Sequence, residues 1–123
     1  MAKAYETGKE GEYEARLYLE KNGYNILHMN WHYHHFELDI VAEKDGMIIV
    51  VEVKTRSSDY LVSPEDSVDN RKIRRIVSAA DSYVRYFNLA MPVRFDIISL
   101  VKNKDGSYVV EEHFEDAFFA PIK

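Results

Sequence analysis

No cysteine occurs among the 123 residues, which excludes disulfides, thiol nucleophiles and thiolate zinc sites and leaves metal chemistry to carboxylates, carbonyls or histidines. Oxygen-ligand metals become the natural candidates. The chain also lacks an apolar run approaching the ~18 residues of a membrane helix, and its start, "MAKAYETGKEGEYE", is too polar for a signal peptide. A cytoplasmic protein is expected. Internal repeats, low-complexity tracts and Pro/Gly/Ser-rich linkers are missing as well. With 46% hydrophobic and 13% aromatic residues, one domain over residues 1–123 is expected. No Gly-x-Ser-x-Gly elbow, phosphate-binding Gly-rich loop or dinucleotide fingerprint is present. Excess positive charge is absent too: the net charge of -5 argues against a protein that coats nucleic acid. It leaves room for local patches, with bases gathered in "RKIRR" (71–75) and acids in "EEHFED" (111–116).

The elements follow from pattern and punctuation. A first helix is predicted from Thr7 to Asn22, stopped by Gly23, with Gly8, Glu12, Ala15 and Leu19 on one stripe. "YNILHMNW" reads as a first strand. "HFELDIVAE" and "GMIIVVEVKTR" read as a hairpin around "KDG", because Asp-Gly between apolar runs is a strong turn signal. In "SPEDS", Ser63 suits a helix cap, Pro64 a first turn and Asp66 the capping-box position. Ile73, Ile76, Val77, Ala80, Tyr83, Val84 and Phe87 then recur at helical intervals. "PVRFDIISLV" and "YVVEEHF" close the chain as strands, and the strand–helix–strand passage favours a right-handed parallel crossover. The expected fold is α/β, in the order αβββαβ(β), with helices against a mixed sheet.

The hairpin is where chemistry enters. A two-residue turn at Asp45-Gly46 sets Val41 against Val50, Asp39 against Glu52 and Glu37 against Lys54 on one face, with Leu38, Ile40 and Ala42 on the other. Two acids ~5 Å apart on a sheet repel by several tenths of a kcal/mol or more. A divalent cation held by Asp39 and Glu52 would turn repulsion into attraction, and Mg²⁺ commonly takes one or two carboxylates and keeps several waters. Lys54, two residues beyond Glu52, points the same way and can reach a metal-bound water or a phosphate oxygen. Such a site suits phosphodiester hydrolysis. The alternative is an ordinary Glu37–Lys54 ion pair beside acids at a solvated sheet edge. The register is vulnerable to a bulge, which would break the facing pairs.

"ELDIV" with "VEVKTR" resembles the PD-(D/E)XK nuclease signature, Asp39 being its leading acid and Glu52-Val53-Lys54 its second half. The wider series "GKEGEYEARLYLEKNGYNIL", "NW", "ELDIVA", "VEVKTRS", "SPEDSVDNRKIRRI" and "RFDIISL" resembles the YraN-like family of small bacterial proteins, over roughly residues 8 to 101. That family is similar to archaeal Holliday-junction resolvases, and the resemblance implies a restriction-endonuclease-like αβββαβ core. It also implies a Mg²⁺- or Mn²⁺-dependent endonuclease on branched or structured DNA, Glu12 as a further acid of the metal site, and a homodimer, because a four-way junction needs two sites. Phe36 stands where many members carry glycine before the "ELDIVA" strand, so the adjoining loop is expected to be shaped differently.

Arg56, Lys72, Arg74 and Arg75 are candidate contacts to DNA phosphates, since Arg56 leaves the catalytic strand and the others sit near a helix start. His28, His32, His34 and His35 lack any zinc frame and read as loop residues or as side chains beside a phosphate cleft. Tyr5, Tyr13, Tyr18 and Trp31 are assigned no role. The rival to an enzyme is a non-catalytic nucleic-acid-binding or protein-interaction module that keeps a nuclease scaffold.

Overall fold

The structure is a computed structural model that describes residues 2–58 and 69–118, with side chains described from Lys9 onward. Among the described residues the order is α1 (Ala2–Lys21), β1 (Asn25–Tyr33), β2 (Phe36–Lys44), β3 (Met47–Ser57), α2 (Asn70–Tyr86), β4 (Val93–Lys102) and β5 (Tyr108–Phe114). The strands form one five-stranded sheet in the order β1-β2-β3-β4-β5. Among the described strands only β3 and β4 run parallel, from Ile48 beside Val93 to Ser57 beside Lys102, with α2 in their crossover. The fold is the expected mixed α/β arrangement.

Helix α1 ends as Gly23 suggests: its φ of 88° lets Gly23 N–H and Tyr24 N–H turn back onto the carbonyls of Glu20 and Leu19. The buried stripe is Gly11, Ala15 and Leu19, while the Gly8 side of the expected stripe lies outside the described side chains. Helix α2 starts at Asn70 under an Asp69 cap whose carboxylate accepts from Lys72 N–H at 2.9 Å. Ser63, Pro64 and Asp66 lie outside the described residues.

One helix covers each face. Ile76, Ala79, Ala80 and Tyr83 of α2 pack on Leu38, Val41, Val50 and Ile97. Ala15 and Leu19 of α1 pack on Ile40, Ala42, Ile49, Val51, Ile98 and Leu100. The placement of Leu38 corrects the expected alternation, which put it with Ile40 and Ala42. The same switch occurs on β1, where Met29 packs towards α1 and Trp31 towards α2. Between the register pairs Met29–Ile40 and Trp31–Leu38 lie Asn30 and Asp39, and Asn30 adopts φ 50°, a left-handed conformation that Asn tolerates better than most residues. Both strands re-aim their side chains at this level.

On the α1 face, Asp96 is fully buried and fully engaged. Arg94 donates to both its oxygens at 2.9 and 2.8 Å, and Asp116 N–H donates at 3.0 Å. His113 Nε2 lies 2.7 Å away, with its Nδ1 3.0 Å from Tyr18 Oη. These contacts tie α1, β4 and β5 together.

Candidate active site at the fork of β2 and β3

The expected register holds from Lys44–Met47 to Ile40–Val51 and then stops. Beyond that point β2 continues beside β1, to Tyr33–Phe36, and β3 continues beside β4. The strands part where Asp39 and Glu52 would have been the next facing pair. Val53 N–H, pointing into the gap, is taken by Asp39 Oδ2 at 2.9 Å. The fork opens into a cleft of about 260 Å³ lined by Asp39, Glu52, Glu37, His35, Lys72 and Arg75, with Phe36 and Ile76 as its apolar wall.

Asp39 and Glu52 meet inside it. Burial, followed by the charge of Glu52 and a hydrogen bond shared with it, pushes the Asp39 carboxyl up to about 9. Burial opposes ionisation of Glu52 too, but hydrogen bonds from Asp39 and Lys72 outweigh it and hold Glu52 below the usual carboxylate range. The pair keeps one proton on the Asp39 side. Glu52 is only 5% exposed, and its Oε2 receives Lys72 Nζ at 2.6 Å and Lys54 Nζ at 3.4 Å. Burial and then the neighbouring Lys72 pull Lys54 below the ordinary lysine range. Lys72 is itself opposed by burial but held above that range by Glu52.

Glu12 comes to this site from α1. Its Oε1 accepts from Asn30 Nδ2 at 2.8 Å and faces Lys9 Nζ at 3.9 Å. Burial raises its carboxyl, against those two partners, and the charges of Glu37 and Glu52 add to the rise. Gly11 permits this approach: a Cβ there would lie 2.1 Å from Thr55 Oγ1 on β3. Asp39 and Glu52 thus touch, and Glu12 stands within electrostatic reach. Among the described residues no three acid or histidine side chains converge into a ready metal cage. Two carboxylates do match the number Mg²⁺ takes when it keeps its waters.

The remaining candidates divide. Glu37 does not pair with Lys54, because β2 has left β3 by then; it lies opposite His32 on β1, with Oε1 2.9 Å from Nε2. Arg75 lines the cleft, and Arg74, one residue before it on α2, is exposed and outside the lining. Lys72 is drawn into the acid site, and Arg56 reaches the other way, to Glu111 Oε2 at 2.6 Å. His35 lines the cleft, whereas His28 bonds Tyr83 Oη at 2.6 Å and His34 turns the β1–β2 connection at φ 58°. A wider groove of about 660 Å³ runs past Lys9, Glu10, Tyr13, Glu14 and Tyr108, and its Glu10 is held by Tyr108 and Lys102. Asn30 and Gly11 escaped the sequence reading. Asn inside a strand pattern, where it packs poorly but tolerates positive φ, is the signal for the first.

Residues 11–100 match the profile of the Uncharacterised protein family UPF0102. A UPF0102 protein of Parabacteroides distasonis is 62% identical over 123 residues, covering the whole of both chains. The chain belongs to the UPF0102 family. A UPF0102 protein of Bacteroides thetaiotaomicron is 48% identical over 122 residues, 99% of each chain. One of Flavobacterium psychrophilum is 43% identical over 119 residues, 97% of this chain and 98% of its own. This is the family whose YraN-like motifs the sequence carries, and the matched region contains Glu12, Asp39, Glu52, Lys54 and Lys72.

Proposed function

We propose that this UPF0102 chain is a metal-dependent endonuclease of the PD-(D/E)XK kind, hydrolysing phosphodiesters in branched or otherwise structured DNA. The observation that carries the reading is the buried Asp39–Glu52 pair, held at the strand fork with the Lys54 ammonium 3.4 Å from Glu52. Burying two acids against one another is costly, and a divalent ion such as Mg²⁺ or Mn²⁺ would relieve that cost. Asp39 and Glu52 would hold it, with Glu12 assisting from the α1 side, and when bound it would lower the pKa of a water and polarise the phosphate. Lys54 orients the attacking water and stabilises charge as the new P–O bond forms and the ester P–O bond breaks. Burial and the neighbouring Lys72 ammonium lower its pKa, which favours release of its proton relative to an ordinary lysine. Arg75 places a cation at the cleft to receive a neighbouring phosphate, with Arg74 exposed one residue away on α2 and Arg56 farther along β3. Four-way junctions carry two scissile strands, so the active unit is a homodimer, acting in the cytoplasm.

The test is incubation of the purified protein with flap, fork and four-way junction DNA plus Mn²⁺, beside Glu52→Ala and Lys54→Ala. Cleavage lost in both variants supports the reading; cleavage equal in all three proteins assigns it to another site or to a contaminant. Neutralisation of Glu52 by two internal lysines, together with the net charge of -5, favours the second reading: a non-catalytic nucleic-acid-binding or protein-interaction module. Absence of cleavage with salt-dependent DNA binding would establish the binding form, and a binding titration with no salt slope the protein-interaction form.

A further inference from the structure

The two lysines on Glu52 differ in origin and in grip. Lys54 comes from β3 itself, two residues along, and stands 3.4 Å from Oε2. Lys72 comes from the first turn of α2 and makes the shorter contact, 2.6 Å, to the same oxygen. Its side chain is 39% exposed while its partner's is 5% exposed, so the ammonium enters the cleft from solvent and caps a buried charge. Helix α2 is anchored independently of this contact, by the Asp69 cap behind and by Ile76 beneath. The long side chain can therefore leave without moving the helix. A divalent ion on Asp39 and Glu52 draws on the carboxylate that Lys72 neutralises, and has to compete with an ammonium already 2.6 Å from Oε2.

We infer that Lys72 is an exchangeable internal counter-ion: it neutralises Glu52 until a divalent cation takes that oxygen, and is then released into the cleft as a mobile positive charge beside Arg75. Lys72 thereby couples cation binding to the arrival of a phosphate, because the ion frees an ammonium that had been spent on Glu52. This inference rests on the cation-binding half of the proposed function and not on cleavage.

The test follows Lys72 directly in the intact protein. Brief acetylation with acetic anhydride, read by peptide mass spectrometry, is compared in EDTA and in saturating Mn²⁺, while Mn²⁺ binding is measured by the paramagnetic resonance signal of the free ion. Labelling of Lys72 is expected to rise severalfold with Mn²⁺. Lys72→Met is expected to bind Mn²⁺ about tenfold more tightly, the size of one half-buried charge-assisted hydrogen bond lost from the competition. Arg75→Met, which removes a cleft cation without a contact to Glu52, is expected to tighten binding only about twofold. Mn²⁺ binding with unchanged Lys72 labelling, or equal tightening in the two variants, overturns the exchange and leaves the nuclease reading standing. No Mn²⁺ binding by any of the three proteins overturns both.

Discussion

Replacing Gly11 by alanine tests how α1 is seated against the site. The new Cβ would stand 2.1 Å from Thr55 Oγ1 and 3.2 Å from Thr55 Cβ, where unstrained contacts lie near 3.5 Å or beyond. Relieving the first clash requires Thr55 to leave its rotamer or α1 to retreat, taking Glu12 with it, whereas the second needs a shift of only a few tenths of an ångström. Overpacking of this kind costs about 1–3 kcal/mol, and alanine returns about 1 kcal/mol of helix propensity. The expected net loss is about 1 kcal/mol, or about 3–6 °C in Tm for a domain of this size. Urea unfolding followed through Trp31, the sole tryptophan, measures it. Gly11→Ala/Thr55→Ala should recover most of the loss, because only the 3.2 Å contact remains. A Gly11→Ala protein as stable as the parent, or a double variant with summed losses, would refute the close-approach argument.

Asp39→Asn should stabilise the protein at neutral pH. The native pair holds a proton to about pH 9, whereas an unfolded aspartate releases it near pH 4. Stability from Asp39 is therefore full below pH 4 and drains away as pH rises towards 9; asparagine keeps the Val53 and Glu52 hydrogen bonds without that loss, and chelator-treated samples scanned from pH 5 to 9 should show a flatter profile. Asp96→Asn should cost about 3 kcal/mol or more, since it leaves Arg94 without its buried counter-charge; a loss under 1 kcal/mol in denaturant titration would contradict the account of that network. Tyr83→Phe deletes the 2.6 Å contact to His28 and is expected to cost about 1 kcal/mol, an amount that thermal melts resolve.

The fold was legible because its signals are local. Asp-Gly fixed the hairpin register, and Ile40 does face Val51 as the turn requires; the α2 stripe is buried at Ile76, Ala80 and Tyr83 as its spacing demands. The acid pair was legible for the same reason: counting back from Asp45-Gly46 brings Asp39 to Glu52. What could not be counted is where two strands stop being neighbours. After Ile40–Val51, β2 stays with β1 and β3 stays with β4, and which neighbour a strand follows is a non-local matter. Hence Glu37 was matched with Lys54 but meets His32, and Leu38 was assigned to the wrong face. Lys72 was read from its position near a helix start as a phosphate contact; only the packing of α2 over the sheet shows that it reaches Glu52 first.

The Asp96 cluster and the strand fork bury the same chemical group with opposite consequences for the limits of the folded state. Arg94 and His113 overcome burial and hold Asp96 ionised, so acid attacks the molecule there, while Asp39 is held protonated and alkali attacks it at the fork. Two aspartates, one on β2 and one on β4 with β3 between them, thus set acid and alkali against different parts of one sheet, and each can be altered without touching the other.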